Sequence, residues 1–177
     1  IASARLHSRD SVSSLVRLLE DDRSGTLVLA GHGYGAIMAA LVAARLGSRV
    51  TKLVIVNAVP PHHYAIPFLD LASDAELEGF LQLIGYPGTV DAASITSLRA
   101  GVRVSSSHQL TRVELACEVA VFRASRSLWF SYWSSQRWED DTQTKQTRFF
   151  DFDGDHFSPV DSLLRSLLAE TEAQPTS

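Results

Sequence analysis

The sequence predicts an α/β fold built on a mostly parallel sheet. Three observations carry that reading. A short apolar run, Thr26-Leu27-Val28-Leu29-Ala30, leads into the glycine-rich turn Gly31-His32-Gly33-Tyr34-Gly35. An unbroken Ala- and Leu-rich stretch, Ala36 to Leu46, follows and is closed by Gly47. A second apolar run, Lys52-Leu53-Val54-Ile55-Val56, then ends at Asn57. Continuous apolar runs of strand length are what a strand covered on both faces needs. Strand, turn, buried helix and strand make a βαβ unit, which implies parallel pairing.

The other elements follow in order. Asp10 or Ser11 can cap a first helix whose apolar face is Val12, Leu15, Leu18 and Leu19. After the second strand, Pro60-Pro61-His62-His63 reads as a loop. Asp70 to Ile84 carries a helical pattern of Leu71, Leu77, Phe80, Leu81 and Ile84, broken by Tyr86-Pro87-Gly88. Ile95 to Leu110 reads as another helix. This helical insertion, about 64–112, is expected to sit above the sheet as a lid. Val119 to Phe122 and Thr147 to Phe152 read as the third and fourth strands, with Gly154-Asp155-His156-Phe157 as a loop after the fourth. Val160 to Leu168 reads as a closing helix, and the tail from Thr171 is polar.

Composition excludes several classes. The chain has 177 residues, 45% hydrophobic and 20% charged, which is ordinary for one globular domain. Such a length buries roughly 70% of the unfolded surface, enough for a core. The formal net charge is -4, and the basic residues, almost all arginine, are scattered with no stripe for nucleic acid. No run is long enough to span a bilayer, and the polar start lacks a signal-peptide core. The single cysteine, Cys117, reads as a small buried hydrophobe in a chain of a reducing, cytoplasmic setting.

The glycine turn fits two chemistries. In a G-x-S-x-G nucleophile elbow, a serine sits on a strained strand-to-helix turn; here Gly33 occupies the serine position. Alternatively, Gly31, Gly33 and Ala36 satisfy the dinucleotide fingerprint G-x-G-x-x-A. The second reading is weakened because a helix precedes the strand and Asn57 is not the acid a ribose contact needs.

Three blocks carry a family resemblance: Leu29-Ala-Gly-His-Gly-Tyr-Gly-Ala-Ile-Met-Ala-Ala, Leu53-Val-Ile-Val-Asn-Ala-Val-Pro-Pro, and Gly154-Asp-His-Phe. In this order they resemble the thioesterase domains that end type I polyketide synthases, with nonribosomal peptide and type II thioesterases as cousins. The resemblance runs from the first helix to about Leu168. It implies an α/β-hydrolase fold with a Ser/Asp/His triad, of which only His156 is retained. The nucleophile position is Gly33 and the acid position is Asn57; the later stretch Arg123 to Ser127, which holds the acid in some relatives, has none either. The resemblance also implies that the Tyr34 backbone N–H serves as oxyanion donor. By the same comparison, further strands precede the first helix in relatives, so the chain is expected to be an N-terminally incomplete single domain.

Glycine cannot attack an acyl group, and in a serine protease the change of the triad Asp to Asn alone costs about 10⁴ in rate. Three readings stay open. The domain is a pseudoenzyme that binds an acyl chain or a partner. Or it releases chains without a covalent step, with His156 as general base. Or Gly33 and Asn57 were introduced to trap a complex. The resemblance implies an acyl carrier protein or adjacent synthase domains as partner and a phosphopantetheine-borne acyl or polyketide substrate, with no further cofactor and no metal. It leaves oligomerisation open. His32, Pro60, Trp129 and Trp133 are the candidate substrate-channel residues, although the aromatic cluster Trp129, Tyr132, Trp133 and Trp138 also suits core packing. His62-His63 reads as an exposed pair and Asp151, Asp153 and Asp155 as strand-edge solvation.

Overall fold

The computed structural model describes residues 10–22, 25–58, 71–107, 113–127, 144, 147–158 and 165. The elements are α1 (Asp10–Asp21), β1 (Leu27–His32), α2 (Tyr34–Leu46), a 3-10 turn (Gly47–Arg49), β2 (Val50–Val56), α3 (Asp74–Leu83), α4 (Ala92–Ser107), β3 (Glu118–Ala124) and β4 (Thr147–Phe152). The described strands form one sheet in the order β1-β2-β3-β4, with every neighbouring pair parallel. The α/β class, a parallel sheet with helices on both faces, is therefore the observed fold.

Alternation along β2 and β3 divides the core. Leu53, Ile55, Val119 and Val121 face α1 and α2, joining Val12, Val16, Met38, Val42 and Leu46. Val54, Val56, Ala120 and Phe122 form a second buried cluster on the opposite face, with Phe150 and Phe152 against it. Burial on both faces explains why these strands read as unbroken apolar runs. In α1, Val16 rather than Leu18 completes the buried face; Leu18 is exposed because it lies off the Val12–Val16 stripe.

Boundaries depart from the sequence expectation where hydrogen bonding decides. Gly31 and His32 stay in β1, paired with Ile55 and Val56, so the turn shrinks to Gly33 and α2 begins at Tyr34. The helix α3 begins at Asp74 rather than Asp70, because Ser73 and Glu76 form a reciprocal capping box. Leu71 lies before it and is 89% exposed, so it is not part of the helix's buried face. The helix ends at Leu83, followed by Gly85, whose φ of 74° is left-handed, ahead of the expected breaker Tyr86-Pro87-Gly88. The helix α4 starts at Ala92 instead of Ile95; Asp91 accepts from the Ser94 backbone N–H at 2.8 Å across its first turn.

The insertion between β2 and β3 packs Ala72 and Leu77 against Phe80, Ile95 and Leu98. Its far end reaches the loop after β4: the Tyr86 and Phe157 rings meet edge to face at 5.6 Å. No helix of the described residues is long and apolar enough to cross a membrane. The predicted closing helix over 160–168 lies, apart from Arg165, outside the described residues.

Candidate functional site

The C-terminal ends of the four strands converge on one place. At the end of β1, Gly33 has φ 52° and ψ -124°, a conformation that costs any residue with a side chain about 1–3 kcal/mol. Its N–H donates to the Val56 carbonyl at 2.9 Å, and its own carbonyl accepts from Ala36 N–H at 3.1 Å. The first glycine of the motif is needed for contact: a Cβ on Gly31 would run into the Gly35 carbonyl oxygen and the Ala36 backbone. Gly35 has no such neighbour. One strained turn and one close strand–helix approach therefore account for two of the three glycines.

Above Gly33 stands His156. A Cβ on Gly33 would lie 3.6 Å from His156 Nε2 and 3.8 Å from Cε1, with no other described residue, its two chain neighbours aside, within 4 Å. The ring is therefore poised over an open space beside the N-terminal end of α2, where Tyr34 is the first helical residue. That end of a helix favours negative charge. Gly154 allows the loop its tight path, since a Cβ there would press on Ser158 and Phe152 at 2.7–2.9 Å. The loop is tied to the end of β3 by Arg126 N–H donating to the Gly154 carbonyl at 2.9 Å.

Asn57 does not touch the His156 ring. It is 1% exposed and left-handed, with φ 46°. Its Oδ1 accepts from Ala124 N–H at 2.8 Å. Its Nδ2 donates to the His156 carbonyl at 3.0 Å and reaches the Asp155 carbonyl at 3.4 Å. Asn57, at the acid position, thus grips the loop backbone rather than the ring. His156 Nδ1 is buried and has no hydrogen-bond partner among the described residues.

His32, a candidate channel residue, reaches the loop after β4. Its Nε2 lies 2.7 Å from the His156 carbonyl oxygen. A carbonyl only accepts, so His32 carries its proton on Nε2. The two imidazole rings are 4.8 Å apart.

The alternating aspartates are not merely solvated. Asp151 takes a two-pronged bond from Arg123 at 2.6 and 2.8 Å, and Asp153 pairs with Arg126 at 2.8 Å. The register that sets Arg123 opposite Asp151 creates the first pair. Asp155 is used inside its own loop, accepting from the Phe157 N–H and the Ser158 hydroxyl, both at 3.0 Å. It is not an orienting acid for the ring. Nothing local signals these pairs: Arg123 on β3 and Arg126 just after it meet Asp151 on β4 and Asp153 just after it only because the two strands are neighbours.

Burial, reinforced by the His32 charge and partly opposed by Asp155, lowers the His156 pKa from 6.5 to about 4. The ring is therefore neutral, and able to accept a proton, well below pH 7. Because the unfolded chain binds this proton more readily, stability from this group is full above pH 6.5 and is lost as pH falls through about 4. We expect ring NMR of His156 to titrate with a midpoint near 4; a midpoint near 6.5 would contradict the buried, neutral ring. Cys117 is buried and its thiol is pushed up, by burial first, which makes it a poor nucleophile.

Pro60, Trp129 and Trp133, with Tyr132, Trp138, His62 and His63, lie outside the described residues. Among the described residues no three His, Cys, Asp or Glu side chains converge as metal ligands. The strand order has no reversal among the described strands, so the crevice at which dinucleotides bind in doubly wound sheets is not formed there.

No protein-family model matches the chain, and no curated protein sequence matches it. Solved structures do. The thioesterase RedJ from the prodiginine biosynthetic pathway of Streptomyces coelicolor aligns at a TM-score of 0.71 with 22% identity, over 93% of this chain and 70% of RedJ. The type II thioesterase BorB from the borrelidin biosynthetic cluster aligns at 0.68 with 19% identity, over 92% of this chain and 71% of BorB. Human thioesterase 2 aligns at 0.68 with 19% identity, over 97% of this chain and 86% of its own. The structural neighbours thus include type II thioesterases of polyketide and nonribosomal peptide pathways. At these identities the likeness is one of architecture: the chain has the α/β-hydrolase fold that these thioesterases share.

Proposed function

We propose that this protein acts on an acyl chain held as a thioester on the phosphopantetheine of an acyl carrier protein, in cytoplasmic polyketide or peptide biosynthesis, and releases it without a covalent acyl-enzyme. The observation that carries this reading is the approach of His156 Nε2 to the open space over Gly33, at 3.6 Å from where a side chain would begin. That space admits a water, or the hydroxyl, amine or enol of the substrate itself. The nucleophile attacks the thioester carbonyl while Nε2 takes its proton. The developing oxyanion would lie at the start of α2 and accept from the Tyr34 N–H. Collapse breaks the C–S bond, and the imidazolium returns its proton to the departing thiolate. Hydrolysis and cyclisation differ only in which nucleophile occupies the space. Trp129, Trp133, Pro60 and His32 would line the acyl path, and the insertion would cover it as a lid.

The fold of RedJ and BorB supports the thioester chemistry, and the placement of His156 Nε2 over Gly33 supports its role as base. A second reading, an inactive pseudo-thioesterase that binds acyl chains or synthase domains, is favoured by one observation. Among the described residues, His156 Nδ1 finds no acceptor to hold the tautomer that a general base needs. Hydrolysis of a soluble acyl thioester separates the two. The catalytic reading expects turnover above background that falls to background in His156→Ala. Turnover unchanged by that substitution would remove the base from the mechanism, and a wild type at background leaves the binding reading.

A further inference from the structure

Both lone pairs of one backbone carbonyl, that of His156, are taken by side chains from the ends of two different strands. His32, the last residue of β1, donates from Nε2 at 2.7 Å. Asn57, immediately after β2, donates from Nδ2 at 3.0 Å. The parallel register sets His32 beside Val56, so the two donors stand next to each other in space. The ring of His156 has no comparable tie: Nδ1 is without a partner among the described residues, and Nε2 faces the open space over Gly33. The ring's placement therefore comes from its backbone and from the walls it meets. Those walls are the His32 ring at 4.8 Å and the Phe157 ring, edge on, at 4.8 Å.

We infer that His32 is a positioning residue, which with Asn57 clamps the His156 carbonyl and thereby holds the His156 ring over Gly33. The clamp replaces, through the backbone, the orientation that an acid on Nδ1 supplies in a complete triad. His32 acts through His156 and needs no contact with the reacting atoms. The titratable groups facing the ring among the described residues are His32 from β1 and Asp155 from its own loop. The neutral ring that results is consistent with a buried group held against a second imidazole. This inference rests on the acyl-release reading only for its effect on turnover; the clamp itself is a statement about the loop.

The test compares His32→Gln, which keeps a side-chain amide donor, with His32→Phe, which keeps a ring and loses the donor. Both delete the imidazole charge, so the difference between them reports the hydrogen bond. Ring NMR follows the His156 titration in the full chain, and hydrolysis of an acyl N-acetylcysteamine thioester gives kcat and KM. The Gln variant is expected to keep a kcat about tenfold or more above that of the Phe variant. The Phe variant is expected to lose roughly 10²-fold in kcat, the scale of a misplaced catalytic group, with KM shared between the two variants. Its His156 midpoint should move from about 4 toward 6.5, beyond any shift in the Gln variant. Equal kcat and equal titration in the two variants would overturn the clamp. If the Phe variant does not fold, His32→Leu, which also lacks the donor, takes its place in the same comparison with the Gln variant. A wild type without turnover removes the acyl-release reading and leaves the titrations to decide the positioning claim.

Discussion

Gly33→Ser is expected to convert the chain into one that forms an acyl-enzyme. The Cβ of the new side chain would stand 3.6 Å from His156 Nε2, and its hydroxyl lies one bond further on, within hydrogen-bond reach of that nitrogen. Beyond its two chain neighbours, no other residue among those described is within 4 Å to obstruct it, so the cost is the left-handed backbone at φ 52°, about 1–3 kcal/mol. Intact-mass analysis after exposure to an acyl thioester should find one adduct, located at position 33, and none in the wild type. The rate should stay about 10⁴ below that of a full triad, because no acid holds Nδ1. An adduct on wild-type Cys117 or Tyr34 would mean that another nucleophile serves the site. A folded serine variant that stays unlabelled would mean that His156 does not reach the new hydroxyl.

Restoring the acid by Asn57→Asp should do harm instead. Sequence resemblance makes this the natural second step toward a triad, and the structure predicts its failure. Asn57 is a two-ended linker: its oxygen accepts from Ala124 N–H and its nitrogen faces the carbonyls of Asp155 and His156. A carboxylate would keep the first bond and aim negative charge at two carbonyl oxygens in a buried site. An uncompensated buried charge costs about 3–5 kcal/mol. For a chain of this size that lowers Tm by about 10 °C. The sign with pH is diagnostic. Burial and the two carbonyls raise the carboxyl pKa above its unfolded value of about 3.9, so the folded state holds the proton longer. The penalty is therefore smallest at low pH and grows as pH rises above about 4. Thermal unfolding of wild type and variant from pH 4 to 8 measures this directly. An unchanged Tm together with faster acylation in the Gly33→Ser background would mean that the new acid finds Nδ1 after all.

These two substitutions mark how far the sequence could be read. The turn at Gly33 and the loop at His156 were legible because their requirements are local: a strand, a left-handed residue, a helix start and a glycine-bounded loop. Asn57 was legible as a position but not as a role. Nothing near it in the chain reveals that its amide spans from Ala124 to the carbonyls 98 and 99 residues away. His32 was read as a channel residue, while its bond crosses 124 positions. Asp151 and Asp153 were read as solvated because their arginines, Arg123 and Arg126, lie on and just after another strand.

The sequence by itself determined the order of elements, the unbroken apolar strands, the missing nucleophile and the surviving histidine, since each depends on residue type and short-range spacing. Only the tertiary structure decided what surrounds that histidine. The parallel register brings the ends of β1, β2, β3 and the loop after β4 into one place. There burial lowers the pKa of His156, His32 and Asn57 take hold of its carbonyl, and Gly33 leaves open the space beneath Nε2. These are consequences of distance and desolvation among residues far apart in the chain, which composition and local pattern do not encode.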